Sequence, residues 1–388
     1  MTDSLQLPFF DSEQRTTAAR VSAFARDVVE PRAQPADESK DSIAAARDFI
    51  ALAAQHDVLR LFVASGRERL SLRALCLARE RIAAASAFAD SVLAVAGLGS
   101  FPIAATGDTA IADRYLGRAA SGSAVGAFAL TEPEAGSDPS AIQTVAESDG
   151  TAYVLTGRKT LISNAGLATF YVVFAKTDPQ AGAKGLSAFV IDADAPGLRI
   201  SRQIDLTAPH PIGDLSLDGC RVSASQRLGA AGEGLKIALK TLDFFRSSVG
   251  AAACGLASRA LGEATARAIS RRQFGTRLGD FQLTKAALAD MATELDAARL
   301  LVYRAAWMKD QGADRITGEA SMAKLFATEA AQRIVDRAVQ IHGGIGVQRG
   351  TVVERLYREV RALRIYEGTS EIQRLIIGDR VLSEGAPT

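Results

Sequence analysis

Hydrophobic and polar positions along the chain change rhythm twice. From about Ser12 to Tyr115 the chain is rich in Ala, Leu and Arg, and apolar residues recur at helical spacing in stretches such as SLRALCLARERIAAASAFA. This part is predicted to be a helical domain. From about Val125 the rhythm shortens to β-favouring runs, AYVLTG, FYVVFAKT, LSAFVIDA, LRISRQI and DLSLDGCRV, separated by Gly, Asp and Pro. A β-domain of about 100 residues is expected there. From Gly234 the helical pattern returns, with Leu235, Leu239, Leu242, Val249 and Leu256 near one face and further helices expected around 281–311 and 318–341. Long apolar-faced helices joined by short Gly-containing turns suggest a four-helix bundle. The boundaries fall at 1–124, 125–230 and 231–388.

A chain of 388 residues can bury a large core divided among two or three domains. Its 45 Lys plus Arg against 44 Asp plus Glu give no reason to expect nucleic acid or an anionic membrane surface as partner. Any anionic ligand must be held locally. The start, MTDSLQLPFFDSEQ, lacks a basic segment followed by an apolar core, and no uncharged run is expected to approach the roughly 18 apolar residues of a membrane span. A cytoplasmic protein is expected. Cys76, Cys220 and Cys254, like His56, His210 and His342, are scattered, so neither a disulfide framework nor a metal site follows.

Five segments carry candidate chemistry. FALTEPEAGSDPSAIQT offers the hydroxyls of Thr131, Ser137 and Thr144 around Pro133 and Gly136, suited to hydrogen-bonding a planar heteroaromatic ligand. GRKTLISNAG reads as a strand end delivering Ser163 to a pocket. SRRQFGTRLGDFQ places Arg271 and Arg272 before Phe274 and Gly275, a basic and aromatic cluster fit for phosphate and ring contacts. QIHGGIGVQRG has paired glycines that permit close backbone approach, but its spacing misses GxGxxG and no βαβ unit surrounds it. In REVRALRIYEGTSEIQRLII, Glu367 sits between Tyr366 and Gly368, and a helix opens behind it at Thr369 or Ser370. Ser370 and Gln373 have capping-box spacing, and the free N–H groups of such a helix start suit a pyrophosphate. A carboxylate beside that place is a candidate base.

In order and spacing, TEPEAGSD, RRQFG, the QIHGGIG glycines and IYEGTSEIQ resemble the signatures of the acyl-CoA dehydrogenase family of flavoproteins, over about residues 12 to 382. The resemblance implies an α+β fold with an N-terminal helical domain, a middle β-barrel-like domain and a C-terminal four-helix bundle. It also implies a homotetramer whose subunits each bind one FAD. Phe128, Leu130, Thr131, Gly136, Ser137, Leu161 and Ser163 match flavin-ring contacts, with Ser163 near N5. Arg271, Phe274, Phe281, Gln282, Gln340, Gly343 and Gly344 match contacts to FAD across a subunit interface, and Thr369 and Glu371 match contacts near its pyrophosphate. Ser137, Asp243, Arg246, Tyr366 and Gly368 match the thioester side, and Glu367 matches the catalytic base. Some branches of the family carry the base on the helix containing LDFFR, but that place here is Phe245. Leu161 stands where the family usually has Trp, which weakens aromatic packing on the flavin, and Phe128 replaces a common Tyr.

The implied reaction removes a proton α to a thioester carbonyl while the β hydrogen leaves as hydride to flavin N5, giving a trans-2-enoyl-CoA. Such a proton is weakly acidic, so the chemistry needs a carboxylate in contact with it and hydrogen bonds to the carbonyl oxygen. Electron-transfer flavoprotein is the expected acceptor. An acyl-CoA oxidase or a flavin monooxygenase on the same fold is the alternative; Glu367 argues against the monooxygenase. Phe244 and Phe245 suggest a narrow pocket for short, branched or cyclic acyl groups.

Overall fold

The first helix starts where the sequence supplies a cap. The Asp11 carboxylate accepts the Glu13 and Gln14 N–H groups, and the Gln14 side chain accepts the Asp11 N–H, a reciprocal capping box. In the computed structural model, which describes residues 4–66 and 69–385, this opens α1 (Ser12–Phe24), which continues through a π turn into α2 (Glu30–Asp37). Four more helices follow: α3 (Ser42–Gln55), α4 (Leu72–Ala85), α5 (Ala87–Thr106) and α6 (Thr109–Ala120). Asp41, Ser71 and Asp108 cap α3, α4 and α6, each side chain accepting the N–H three residues on.

Helix α5 corrects one sequence expectation. By length and composition it is apolar enough to cross a membrane, but about two-thirds of the apolar window is buried inside the fold, as in a core helix.

Eight strands form, β1 (Gly126–Ala129), β2 (Val145–Ser148), β3 (Ala152–Ser163), β4 (Phe170–Lys176), β5 (Leu186–Asp192), β6 (Leu198–Gln203), β7 (Ile212–Ser223) and β8 (Arg227–Leu228); the five β-favouring runs are β3 to β7, and the short β1, β2 and β8 lie outside them. They make one eight-stranded sheet in the order β6-β7-β3-β2-β4-β5-β8, with β1 parallel to β4. The continuous apolar runs of β4 and β5 are buried along almost their whole length, as strands covered on both faces must be. Edge strand β6 instead exposes Arg199, Ser201, Arg202 and Gln203, a charged rim that discourages further pairing. Leu155, Ile162, Tyr171, Phe189, Leu215 and Val222 belong to the core of this sheet.

The C-terminal helices are α7 (Gly234–Ser270), α8 (Gln282–Asp310), α9 (Thr317–His342), α10 (Val352–Val360) and α11 (Ser370–Glu384); α8 and α9 lie within a residue or two of expectation, α7 and α11 open where expected, and α10 is an addition to it. A small hairpin, β9 (Arg272–Gln273) and β10 (Thr276–Arg277), joins α7 to α8. Helix α9 packs against α8, α10 and α11.

The chain divides into two compact units that do not follow chain order. One comprises Met1–Asp37, Ser71–Asp90 and Asp243–Thr388; the other comprises Glu38–Leu70 and Ser91–Leu242. Within the first, the Asp310 carboxylate at the end of α8 accepts the Leu72 and Arg73 N–H groups at 2.7 and 3.1 Å, an anion seated on the positive end of α4. Helices α4 and α7 touch at Gly255, where a Cβ would collide with the Glu80 carbonyl oxygen and stand 3.0 Å from the Ala84 nitrogen. Backbone cannot yield as a side chain can. A Gly255→Val variant should therefore lose about 2 kcal/mol or more of stability, read as a lower thermal midpoint, whereas the same change at Gly262, with no atom within 4 Å, should be nearly neutral.

Candidate active site

Left-handed backbone conformation marks the segments singled out in the sequence. Among the described residues five non-glycines have positive φ, and four of them, Leu161, Asn164, Phe274 and Glu367, lie in those segments; Asp57 is the fifth. A side chain in this region is strained, and folds tend to keep such strain at functional places.

Glu367 is the centre of a cluster in the first unit. Its φ is +55° and that of Gly368 is +89°, so two consecutive left-handed residues turn the chain sharply before α11. Three side chains hold the turn by its carbonyls. Arg246 Nε and Gln373 Nε2 both donate to the Glu367 oxygen at 3.3 Å, while Lys324 Nζ and Gln373 Nε2 donate to the Gly368 oxygen at 2.8 and 2.9 Å. Gly368 suits this turn because its φ of +89° is one that other residues rarely adopt, and a Cβ there would also displace Gln373 Nε2, 2.6 Å away. Arg246 is also paired with Asp243 at 3.0 Å, and Asp243 accepts the Thr317 hydroxyl at 2.6 Å.

With its backbone held, the Glu367 side chain is left unsatisfied: Oε2 is buried and accepts no hydrogen bond. Burial pushes its carboxyl above the usual range, against the pull of the Arg79, Lys324 and Arg246 cations. Burial likewise draws the Lys324 ammonium down to about 8, opposed by Glu367. Among the described residues no backbone or side-chain acceptor takes the Glu367 N–H. An acceptor of protons and a free donor thus stand on the same residue.

Helix α11 opens as expected, but its cap differs. Thr369 is the N-cap, accepting the Ile372 N–H, and the proposed Ser370 and Gln373 box does not form. Ser370 instead donates to Glu329 at 2.6 Å, and Gln373 turns back to the loop carbonyls. Tertiary partners outcompete the local motif. Glu371, in the first turn of α11, stays exposed.

The second unit carries the Thr131 to Ser137 loop and the Leu161 to Ser163 strand end. Glu132 anchors the loop from behind: its carboxylate accepts Lys159 Nζ at 2.7 Å and the Gln143 and Thr144 N–H groups at 2.6 and 3.1 Å. Burial opposes the charge, but these partners hold the Glu132 carboxyl below its usual range. Lys159 is fully buried and also donates to the Leu130 and Phe174 carbonyls. In front, the Thr160 N–H donates to the Thr131 carbonyl at 3.0 Å, tying loop to strand. The β3–β7 register slips between Lys159 and Ile162, and this bulge turns Leu161 outward, 52% exposed, while Ser163 stays in register opposite Ile212. The Phe128 ring is 4.9 Å from that of Phe174 on the same sheet.

Arg271, Phe274, Phe281 and Gln282 gather at the α7–α8 hairpin, where Phe274 is 95% exposed and meets Phe281 edge-on. Gln340, Gly343 and Gly344 lie at the far end of α9. Among the described residues no hydrogen bond joins the two groups.

Sequence reading missed Arg79, Asp90 and Lys324, and gave Glu132 and Lys159 no role. Asp90 carried a signal: it is the one charged residue of the otherwise apolar α5, and such a charge is rarely buried without a partner.

The residues fit a flavin dinucleotide. Gly136 and Gly344 have ordinary φ values and a Cβ on either would meet no atom within 4 Å, so neither the backbone nor the packing asks for glycine there. Bare backbone at these two places leaves room for a bulky group to approach.

Comparison with known proteins agrees. The acyl-CoA dehydrogenase N-terminal, middle and C-terminal domain models match residues 11–123, 127–220 and 232–382. The chain belongs to the acyl-CoA dehydrogenase family, oxidoreductases acting on CH–CH bonds. A 3-(aryl)acrylate reductase of Clostridium sporogenes is 38% identical over 93% of this chain and 97% of its own. The CarC subunit of a caffeyl-CoA reductase-Etf complex from Acetobacterium woodii is 41% identical over 73% of this chain and 75% of its own. The solved butyryl-CoA dehydrogenase of Megasphaera elsdenii is 32% identical with a TM-score of 0.89, covering 96% of this chain and 99% of that one.

Removing the cation behind the loop tests how the second unit is held. Lys159→Met leaves Glu132 buried with only its two backbone donors, and stability should fall by about 3 kcal/mol in thermal or denaturant unfolding. Loss of FAD at limiting cofactor concentration should accompany it.

Proposed function

We propose that this chain is an FAD-dependent dehydrogenase of an acyl-CoA thioester, with Glu367 as the base that removes the α proton. The observation that carries the reading is the Glu367 carboxylate itself, strained at φ +55°, buried and without a hydrogen-bond donor on Oε2. A structural carboxylate would be paired; one awaiting a proton need not be. Its elevated pKa makes it a stronger acceptor, and its free N–H is a donor for the thioester oxygen, where charge develops as the α proton leaves. Bound FAD supplies the hydride acceptor.

The other assignments follow the same chemistry. Phe128, Leu130, Thr131, Gly136, Ser137, Leu161 and Ser163 would hold the flavin ring. The Thr369-capped start of α11, with Glu371, would lie by the pyrophosphate, where free N–H groups and the helix dipole favour negative charge. Exposed Arg271, Phe274 and Gln282, with Phe281, Gln340, Gly343 and Gly344, would serve the FAD of a neighbouring subunit in a homotetramer. Ser137, Asp243, Arg246, Tyr366 and Gly368 would face the thioester. Electron-transfer flavoprotein is the proposed redox partner, in keeping with the Etf complex of the Acetobacterium relative, and a cytoplasmic location is proposed with it. Two relatives are named reductases, and the same residues serve the reverse direction, with Glu367 then delivering the proton to the α carbon.

Glu367→Gln keeps the size of the side chain and removes the proton acceptor. Anaerobic stopped-flow bleaching of the flavin by an acyl-CoA should slow by about 10² to 10⁴ with FAD still bound. A variant bleaching within about threefold of wild type would remove the base from Glu367.

The wild-type rate should also fall with decreasing pH. Protonated Glu367 cannot accept the α proton, and its raised pKa places the midpoint above the value of about 4.3 for an ordinary Glu. Bleaching rates measured from pH 5 to 9 locate it, and a midpoint at the ordinary value would show that burial does not govern this carboxylate.

A further inference from the structure

The two buried lysines among the described residues are held in different ways. In the second unit Lys159 is given a carboxylate, Glu132, at 2.7 Å, the arrangement that a buried charge ordinarily needs. Lys324, on α9 in the first unit, forms no ion pair among the described residues. Its ammonium donates instead to a neutral acceptor, the Gly368 carbonyl, at 2.8 Å. The carboxylates of Glu329 on α9 and Asp243 on α7 are bonded to Arg364 and Arg246. Lys324 is also the one charged residue among the buried positions of α9, where Ala320, Ala323, Ala327 and Ala331 supply much of the packing face. Stability alone does not account for a charge in that place, since an apolar side chain would fill it without the cost of desolvating an ammonium.

We propose that Lys324 is a positioning residue for the base and that it serves only as the ammonium: bonded to the Gly368 carbonyl it fixes the left-handed turn that aims Glu367, and loss of its proton in alkaline solution loosens that turn. The inference rests on the reading of Glu367 as the base. Lys324 acts through the backbone of the turn. Of the bonds that side chains make to the two carbonyls there, its bond is the shortest, against 2.9 Å and 3.3 Å from Gln373 and 3.3 Å from Arg246.

The charge matters because a hydrogen bond from an ammonium is roughly twice as strong as one from a neutral amine. A residue such as Glu367, at φ +55°, keeps its conformation only while its surroundings hold it there. Burial brings the loss of the Lys324 proton into reach, drawing the ammonium down to about 8. Glu367 from the turn, Glu329 from α9 and Glu371 from α11 favour the charged form, while Arg246 from α7 opposes it. The competent form is the protonated one. The rate is therefore full below the Lys324 midpoint and falls as pH rises through it, which adds an alkaline limb to the acid limb of Glu367.

The test is Lys324→Met, which keeps an unbranched apolar stem and removes the ammonium. The Gly368 carbonyl still accepts Gln373 Nε2, so the substitution orphans no backbone acceptor. With FAD bound, flavin bleaching by an acyl-CoA at pH 7 should slow about tenfold with little change in the thioester KM, and the alkaline limb of the wild-type profile should disappear while the acid limb remains. A wild-type rate in this variant, or an alkaline limb that survives the substitution, overturns the proposal.

Should Lys324→Met not fold, Lys324→Arg decides. A guanidinium stays charged to about pH 12, so the alkaline limb should vanish in this variant, and its persistence overturns the proposal. The two readings fail differently. Wild-type bleaching by Glu367→Gln removes the base assignment, whereas an inactive Glu367→Gln beside a Lys324→Met enzyme with the wild-type rate and pH profile removes only the role of the lysine.

Discussion

A buried carboxylate oxygen without a hydrogen-bond donor is costly to keep, and the first unit holds Oε2 of Glu367 in that condition. Its neighbours satisfy the carbonyls of the turn and leave Oε2 and the N–H of Glu367 bare. Arg246, Lys324 and Gln373 spend their hydrogen bonds on the carbonyls of Glu367 and Gly368, so the backbone is immobilised and the side chain is not quenched by direct pairing. The same cations lower the electrostatic cost from a distance. Had one of them bonded Oε2 directly, the carboxyl would be more acidic and a poorer base. Two left-handed residues in a row aim the side chain, and the donors on the carbonyls hold that strained geometry against relaxation.

The second unit applies a similar logic to a surface. Its loop from Thr131 to Ser137 has little core of its own, and it owes its shape to Glu132 and Lys159 underneath, a pair deep enough that neither can relax toward water. The outer face is then free to be small and polar. Leu161 is pushed out by a bulge in a strand that is otherwise regular, so its exposure is a property of the backbone and would persist with another side chain there.

Much of the fold was legible because its signals are local. Strand runs and helix faces depend on residues a few positions apart, and the structure places them where the pattern indicates. Glu367 was legible because it sits in a distinctive run. The way it is held was not, since Arg246 and Lys324 reach the turn from α7 and α9, whose approach no periodicity describes. The Ser370 and Gln373 box shows the converse error: the spacing satisfied a local rule, yet Glu329 and the loop carbonyls, remote in sequence, offered both side chains better partners.

The unit that carries Glu367 is assembled from the two ends of the chain and one short internal piece, and the bonds from Arg358 to Asp37 close a separation of 321 residues. Contacts of such range are entropically late, because the intervening loop must be closed before they return any stabilisation. On the ribosome, the unit of Glu38–Leu70 and Ser91–Leu242 has all its residues available while Asp243–Thr388 is still to be made. Helix α4 packs on α1 but must wait for α8, its other neighbour, until the last third of the polypeptide is made. Order of synthesis thus makes the unit that carries Glu367 the final one to mature, and a chain cut short near its C-terminus loses contacts on which its first helices depend.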